Sequence, residues 1–170
     1  MPLLDLQLEN AQWIVIHARP RCEKKIKVFA DLKGIPCFLP TRITRHRYGS
    51  RLRQFDNPLF PGYLFCLANP DDQRLLRQHE RVANILEVAD QPTLVRQLRQ
   101  VEQALEAGQD LEVLPFIEKG KYVRIIQGPC KGLEGFVQEI KGQTRIVLNV
   151  DFIRESVILE VEASWLAPAT

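Results

Sequence analysis

The chain of 170 residues has four cysteines, Cys22, Cys37, Cys66 and Cys130, and no two of them stand as C-x-x-C. Zinc sites draw on closely spaced ligand pairs, and His17, His46 and His79 are equally scattered, so no metal is expected. No apolar run approaches the roughly 18 residues of a membrane span. The opening segment MPLLDLQLENAQ holds Asp5 and Glu9 but no Lys or Arg, and lacks the basic start and apolar core of a signal peptide. The expectation is therefore a cytoplasmic protein with no membrane partner, its thiols free and packed as small apolar groups. Also missing are a G-x-S-x-G elbow, a phosphate-binding loop and a pair of catalytic carboxylates, while the glycines fall at turns. Neither an enzyme nor a cofactor is expected.

What is present is an ordinary globular composition, 45% hydrophobic and 26% charged, which excludes a disordered tail, a coiled coil and a collagen-like repeat. The net charge of +2 hides an uneven distribution. Between Arg19 and Arg53 stand eleven basic residues against two acidic ones, Glu23 and Asp31, so the rest of the chain is net acidic. Such a run is either a solvated face or a surface turned toward a polyanion, where Lys and Arg release counterions condensed on phosphates.

Periodicity divides the chain. Trp13–Ile16 reads as a strand buried on both faces. Arg21–Lys33 reads as a helix with Cys22, Ile26, Phe29 and Ala30 inward and Glu23, Lys24, Lys27 and Asp31 outward, entered at Pro20 and capped by Gly34. Ile35–Leu39 is a strand. Thr41–Phe55 reads as a basic hairpin turning at Tyr48-Gly49-Ser50, with little core to hold it. Leu59–Leu67 is a strongly apolar strand, Pro70 to His79 a helix, Val82–Val88 a strand and Pro92–Ala107 an amphipathic helix stopped by Gly108. This mixed α+β order fits one sheet of four or five strands covered by helices. Gln109–Glu118, with Asp110 and Pro115, reads as a linker. From Lys121 onward Tyr122–Ile126, Phe136–Ile140, Arg145–Val150 and Val157–Val161 are short strands of a small barrel.

The residues Trp13-Ile14-Val15-Ile16-His17, then Pro58-Leu59-Phe60-Pro61-Gly62-Tyr63-Leu64-Phe65, then Gly120-Lys121-Tyr122-Val123-Arg124-Ile125 through Gly128-Pro129-Cys130-Lys131-Gly132-Leu133-Glu134-Gly135 occur in this order. Together they resemble the NusG family of transcription elongation factors over about residues 12 to 166. Leu39-Pro40-Thr41 and Asn57-Pro58-Leu59-Phe60-Pro61 are similar to the specialised RfaH-like branch. The resemblance implies an N-terminal NGN-type α/β sandwich, an antiparallel sheet with helices and a basic β-hairpin, over residues 11–108. A linker over 109–118 and a C-terminal KOW β-barrel over 119–168 would follow. It implies a monomeric elongation and antitermination factor seated on the clamp helices of RNA polymerase, which suppresses pausing beside upstream and non-template DNA. The KOW half alone would also fit a ribosome-associated RNA-binding protein, but that reading leaves the Phe60–Phe65 strand without a role.

The strand's aromatics are either simple core or rings exposed beside the Pro61-Gly62 bend to receive a partner's hydrophobic helix tip, and the resemblance places the polymerase contact on them, at Phe60, Tyr63 and Phe65. It matches Arg19, Lys25 and Arg81 to sites that touch the displaced DNA strand. Arg21 and Lys24 lie beside them, and Arg42, Arg45, Arg47, Arg51 and Arg53 decorate the hairpin, where duplex backbone is the expected ligand. Arg74, Leu75 and Leu76 stand where the RfaH-like branch has a polar triplet, so capping and packing are expected of them instead. In the barrel, Gly128, Pro129, Cys130, Lys131 and Gly132 form a tip loop assigned to a small-subunit ribosomal protein (NusE) or to Rho. Cys130 offers less apolar area than the phenylalanine common there, so Ile126 or Leu133 is the alternative contact. Asn57 replaces a glutamate that helps RfaH-like proteins hold the second domain as a helical hairpin, and Arg145–Val150 alternates with period two. A β-barrel is expected there.

Overall fold

The apolar, β-branched run Trp13–Ile16 becomes the middle of β1 (Gln12–Ala18), a central strand buried on both faces. In the computed structural model, which describes residues 2–169, the chain divides between Gln91 and Pro92 into two units, each with its own sheet. The first unit continues through α1 (Glu23–Leu32), β2 (Cys37–Phe38), β3 (Thr41–Tyr48), β4 (Arg51–Pro58), β5 (Tyr63–Ala68), α2 (Pro70–Gln78) and β6 (Val82–Glu87). Its main sheet has the order β2-β5-β1-β6 and every pairing is antiparallel. Ile14, Ile16, Leu64 and Cys66 face Ile26 and Ala30 of α1 and Leu76 of α2 in one core. By alternation Trp13, Val15, Phe65 and Leu67 line the opposite face, and they too are buried.

Local chemistry sets the helix ends. Gly34 adopts φ +71°, and the bonds Gly34 N–H to Asp31 O (3.1 Å) and Ile35 N–H to Ala30 O (2.9 Å) complete a left-handed C-terminal cap on α1. Asn69 caps α2: its side-chain oxygen accepts from Asp72 N–H at 2.8 Å, and Asp72 accepts from Asn69 N–H at 3.2 Å. α1 begins at Glu23, later than its periodicity predicts, because Arg21 takes φ +62° and Cys22 N–H bonds Arg19 O in a tight turn. Pro20 therefore precedes the helix instead of opening it. Glu23, expected to face outward, is buried.

The hairpin pairs β3 with β4 from Thr41↔Pro58 to Tyr48↔Arg51 as a separate two-stranded sheet. Its two-residue turn is Gly49-Ser50, with Gly49 at φ +61°.

The second unit holds α3 (Gln91–Glu106) from Pro92 on, then β7 (Leu111–Pro115), β8 (Tyr122–Ile125), β9 (Glu134–Ile140), β10 (Gln143–Val150), β11 (Glu155–Glu160) and β12 (Leu166–Pro168). The strands form one barrel-like antiparallel sheet in the order β12-β8-β9-β10-β11-β7. Glycine is a steric necessity at several positions here. A Cβ on Gly135 would stand 2.1 Å from the Val147 carbonyl oxygen, and one on Gly128 would stand 2.5 Å from the Trp165 ring.

One expectation is corrected here. Residues 111–115 are not linker but an edge strand on β11, with Leu111 buried and Pro115 at the end, where a missing N–H is tolerated. α3, placed by sequence with the N-terminal domain, begins at Gln91, whose side chain exchanges two bonds with the Trp13 backbone of β1 (2.7 Å each), and its later turns bond the barrel. Gln97 accepts from Asp151 N–H at 2.9 Å, Gln100 exchanges two bonds with the backbone of Glu134 (2.8 and 3.0 Å), and Gln103 donates to Lys131 O at 3.0 Å.

Candidate functional site

β1 and β5 pair in a register that puts His17 directly opposite Tyr63. The two rings stack, with centroids 5.4 Å apart and planes 23° from parallel; His17 is exposed and Tyr63 half-buried. The bend before Tyr63 is held from three sides. Tyr63 N–H bonds Phe60 O (3.0 Å), Ala18 N–H bonds Gly62 O (2.8 Å), and Gly62, at φ +93°, donates its N–H to the buried Glu23 carboxylate at 3.2 Å. Glu23 thus joins the start of α1 to the loop that aims Tyr63. An acid in this first turn also meets the positive end of the helix dipole.

Phe60 and Phe65 are placed differently from the expectation of exposed rings. They are 2% and 0% exposed, packed edge to face at 6.4 Å, and Phe65 lies 6.3 Å from Phe38. Alternation along a strand tells which residues share a face, not whether that face is covered. Of the three rings, Tyr63 alone reaches the surface.

Arg19 and Arg81, 62 residues apart in sequence, meet. Arg19 N–H donates to Arg81 O at 2.9 Å, and Arg19 Nε donates to Glu80 O at 2.7 Å. The Arg81 guanidinium lies 3.5 Å from the Glu80 carboxylate, and its backbone N–H bonds His79 Nδ1. Lys24 and Lys25 are exposed on the first turn of α1, and Arg21 is exposed in the turn before it. The five hairpin arginines lie on the separate ribbon. Register divides them: Arg42, Arg51 and Arg53 share one face, Arg45 and Arg47 the other. Asn57 donates to Thr44 Oγ1 at 2.8 Å within the ribbon.

On α2, Arg74 pairs with Asp71 at 3.2 Å on the surface. Leu76 packs in the core, but Leu75, expected to pack with it, is exposed. In the barrel, the 128–132 loop is closed by Gly132 N–H to Ile125 O (2.8 Å) and Lys131 N–H to Gly128 O (3.2 Å). Cys130 and Leu133 turn inward, and burial pushes the Cys130 thiol up. Of the contacts proposed for this loop, Ile126, Pro129 and Lys131 are at the surface. Cys37 and Cys66 stand opposite each other across β2 and β5, where a thiol hydrogen bond and burial hold Cys66 well above the ordinary thiol range. Among the described residues no cluster of three His, Cys, Asp or Glu side chains is arranged to hold a metal, and no helix is long and apolar enough to cross a membrane.

A family model described as transcription termination factor nusG matches residues 11–109, from β1 to just beyond α3. The chain belongs to the NusG family. Transcription termination/antitermination protein NusG of Lactococcus lactis is 24% identical over 166 residues, covering 88% of this chain and 89% of that one. The protein of the same description from Thermus thermophilus is 24% identical over 185 residues, covering 94% and 100%. A structure titled for domain interaction in Thermotoga maritima NusG, 23% identical, covers 94% of this chain and 98% of its own with a TM-score of 0.50, a likeness of fold. As a NusG-family chain, this protein is a transcription termination/antitermination factor, in a family of transcription factors rather than enzymes.

Three residues given no role by the sequence reading lie against the candidate site: His17, Glu23 and Glu80. None carries a local signal. His17 gains its partner only through the β1–β5 pairing, and Glu80 meets Arg19 through its carbonyl and Arg81 through its carboxylate.

Proposed function

We propose that the first unit binds the clamp helices of RNA polymerase through the surface around Tyr63 and His17, with Phe60 and Phe65 as the rigid backing, and suppresses pausing beside non-template DNA. The observation that carries this reading is the stacked Tyr63–His17 pair, fixed by Glu23 and Gly62 and neighboured in sequence by Arg19 and Arg21. An aromatic held on a fixed bend loses little freedom on binding and acts as an anchor. Arg19, Arg21, Lys24, Lys25 and Arg81 supply positive charge for the displaced strand, and the hairpin arginines for DNA backbone. The short basic hairpin favours the specialised RfaH-like branch. In the barrel, Ile126 and Lys131, beside the 128–132 loop and within it, offer the contact to a ribosomal protein of the small subunit, with Rho as the competing occupant.

The test is co-purification with bacterial RNA polymerase. Wild type is expected to bind and Tyr63→Ala to bind about tenfold more weakly, the loss of one buried ring. Equal retention of both proteins contradicts the reading.

A further inference from the structure

The hairpin's two faces are chemically unlike. On one face the register gathers His46 and Tyr48 of β3 with Arg51, Arg53 and Phe55 of β4. The rings touch in a row: His46 to Phe55 at 5.8 Å, and Tyr48 to Phe55 at 6.4 Å and nearly edge-on. Tyr48 is 58% and Phe55 37% exposed, so the row is open to solvent along a ribbon that forms its own sheet. The other face carries Ile43, Arg45, Arg47, Leu52, Gln54 and Asp56, with arginines but no ring.

Three open aromatic rings on a two-stranded ribbon have no folding role large enough to explain them, since they cover no core. Their setting is strongly basic: five arginines against Asp56 between Thr41 and Pro58. That charge selects a polyanion, and the rings select one whose bases present their flat faces. A duplex hides those faces in its stack and offers only base edges in its grooves. A single strand offers them freely, and base–aromatic stacking tolerates any sequence.

We propose that the His46–Phe55–Tyr48 face of the hairpin is a stacking platform for unpaired bases of single-stranded DNA, with Arg51 and Arg53 holding the adjoining phosphates. The Arg45 and Arg47 face contributes charge alone. The choice of DNA rests on the proposed place of this factor beside the displaced strand; the stacking geometry itself does not.

The experiment uses the full-length protein without polymerase and measures affinity by fluorescence anisotropy. The probes are an oligothymidylate, an abasic strand of equal length and charge, a duplex of that length, and the corresponding RNA. Wild type is expected to bind the oligothymidylate at least tenfold more tightly than the abasic strand and more tightly than the duplex. Tyr48→Leu/Phe55→Leu is expected to erase the preference for bases while keeping abasic binding, because the arginines remain. Arg45→Ala/Arg47→Ala is expected to weaken all probes alike and preserve the preference. Equal binding of abasic and base-bearing strands by wild type, a preference for duplex, or wild-type behaviour of the Leu double variant overturns the platform. Tighter binding of the RNA overturns the assignment to DNA. Since no polymerase is present, these outcomes are independent of the Tyr63 co-purification result, and either conclusion can fail alone.

Discussion

Tyr63 lies stacked on His17 across the β1–β5 pairing, 5.4 Å between ring centroids, while Phe65 two residues on is sealed beneath the same face. The difference between a surface ring and a core ring on one strand leads to opposite mutational outcomes. Phe65→Ala is expected to destabilise the first unit by about 3–5 kcal/mol, as for other buried aromatics. Tyr63→Ala is expected to cost less than about 1.5 kcal/mol, since part of its ring is already in water. Urea unfolding of the two variants against wild type checks this. Similar losses for both would show that Tyr63 is a core residue as well.

Arg81→Ala is expected to leave the fold intact, because Arg19 bonds the Arg81 carbonyl and not its side chain. If Arg81 holds one phosphate, the slope of log affinity for single-stranded DNA against log salt becomes shallower by about one. An unchanged slope removes Arg81 from the interface.

Gly135→Ala is expected to unfold or severely destabilise the barrel. The new Cβ would have to displace the Val147 carbonyl in the middle of β10, a backbone atom with nowhere to go. Gly142→Ala is the control: its Cβ meets nothing within 4 Å, and only the strain of φ +76° remains, of order 1–3 kcal/mol. Thermal melts of the two variants should rank accordingly.

Gln100→Ala removes both bonds to the Glu134 backbone and is expected to loosen α3 from the barrel by about 1–3 kcal/mol. Faster amide exchange confined to α3 and the start of β9 is the expected signature. Unaltered exchange would show that the apolar stripe of α3 alone holds it.

The pH dependence of the barrel involves Glu155, whose carboxyl burial pushes above the ordinary carboxylate range. An acid raised in the folded state binds more protons there than in the unfolded chain, so its contribution to stability falls as pH rises past the unfolded value and through the folded one. Glu155→Gln is therefore expected to be more stable than wild type at pH 7, with a smaller gain at pH 4. Denaturant midpoints at the two pH values measure it.

Much of this fold was legible because its signals are local. Trp13–Ile16 reads as a buried strand, Pro70 opens α2, and Gly34 ends α1 where its positive φ is needed. The hairpin turn at Gly49-Ser50 also fell where the alternation changed. What escaped depends on partners distant in sequence. Leu111–Pro115 has a linker's composition and becomes a strand only because β11 offers it an edge. The stripe of α3 says that it packs, but not that Gln97, Gln100 and Gln103 choose the barrel. At the site, the exposure of Phe60 and Phe65 was misjudged because nothing in an alternating strand distinguishes a second buried face from a docking face. The hairpin's ring row follows from cross-strand register, which gave the arginines their division as well.

The most direct test of the account is single-round transcription by bacterial RNA polymerase on a template with a strong pause. Wild-type protein is expected to shorten the pause half-life, and Tyr63→Ala at the same concentration to leave it as in the protein's absence. A wild-type protein that leaves pause lifetimes unchanged at saturating concentration, or a Tyr63→Ala variant that shortens them equally, contradicts it.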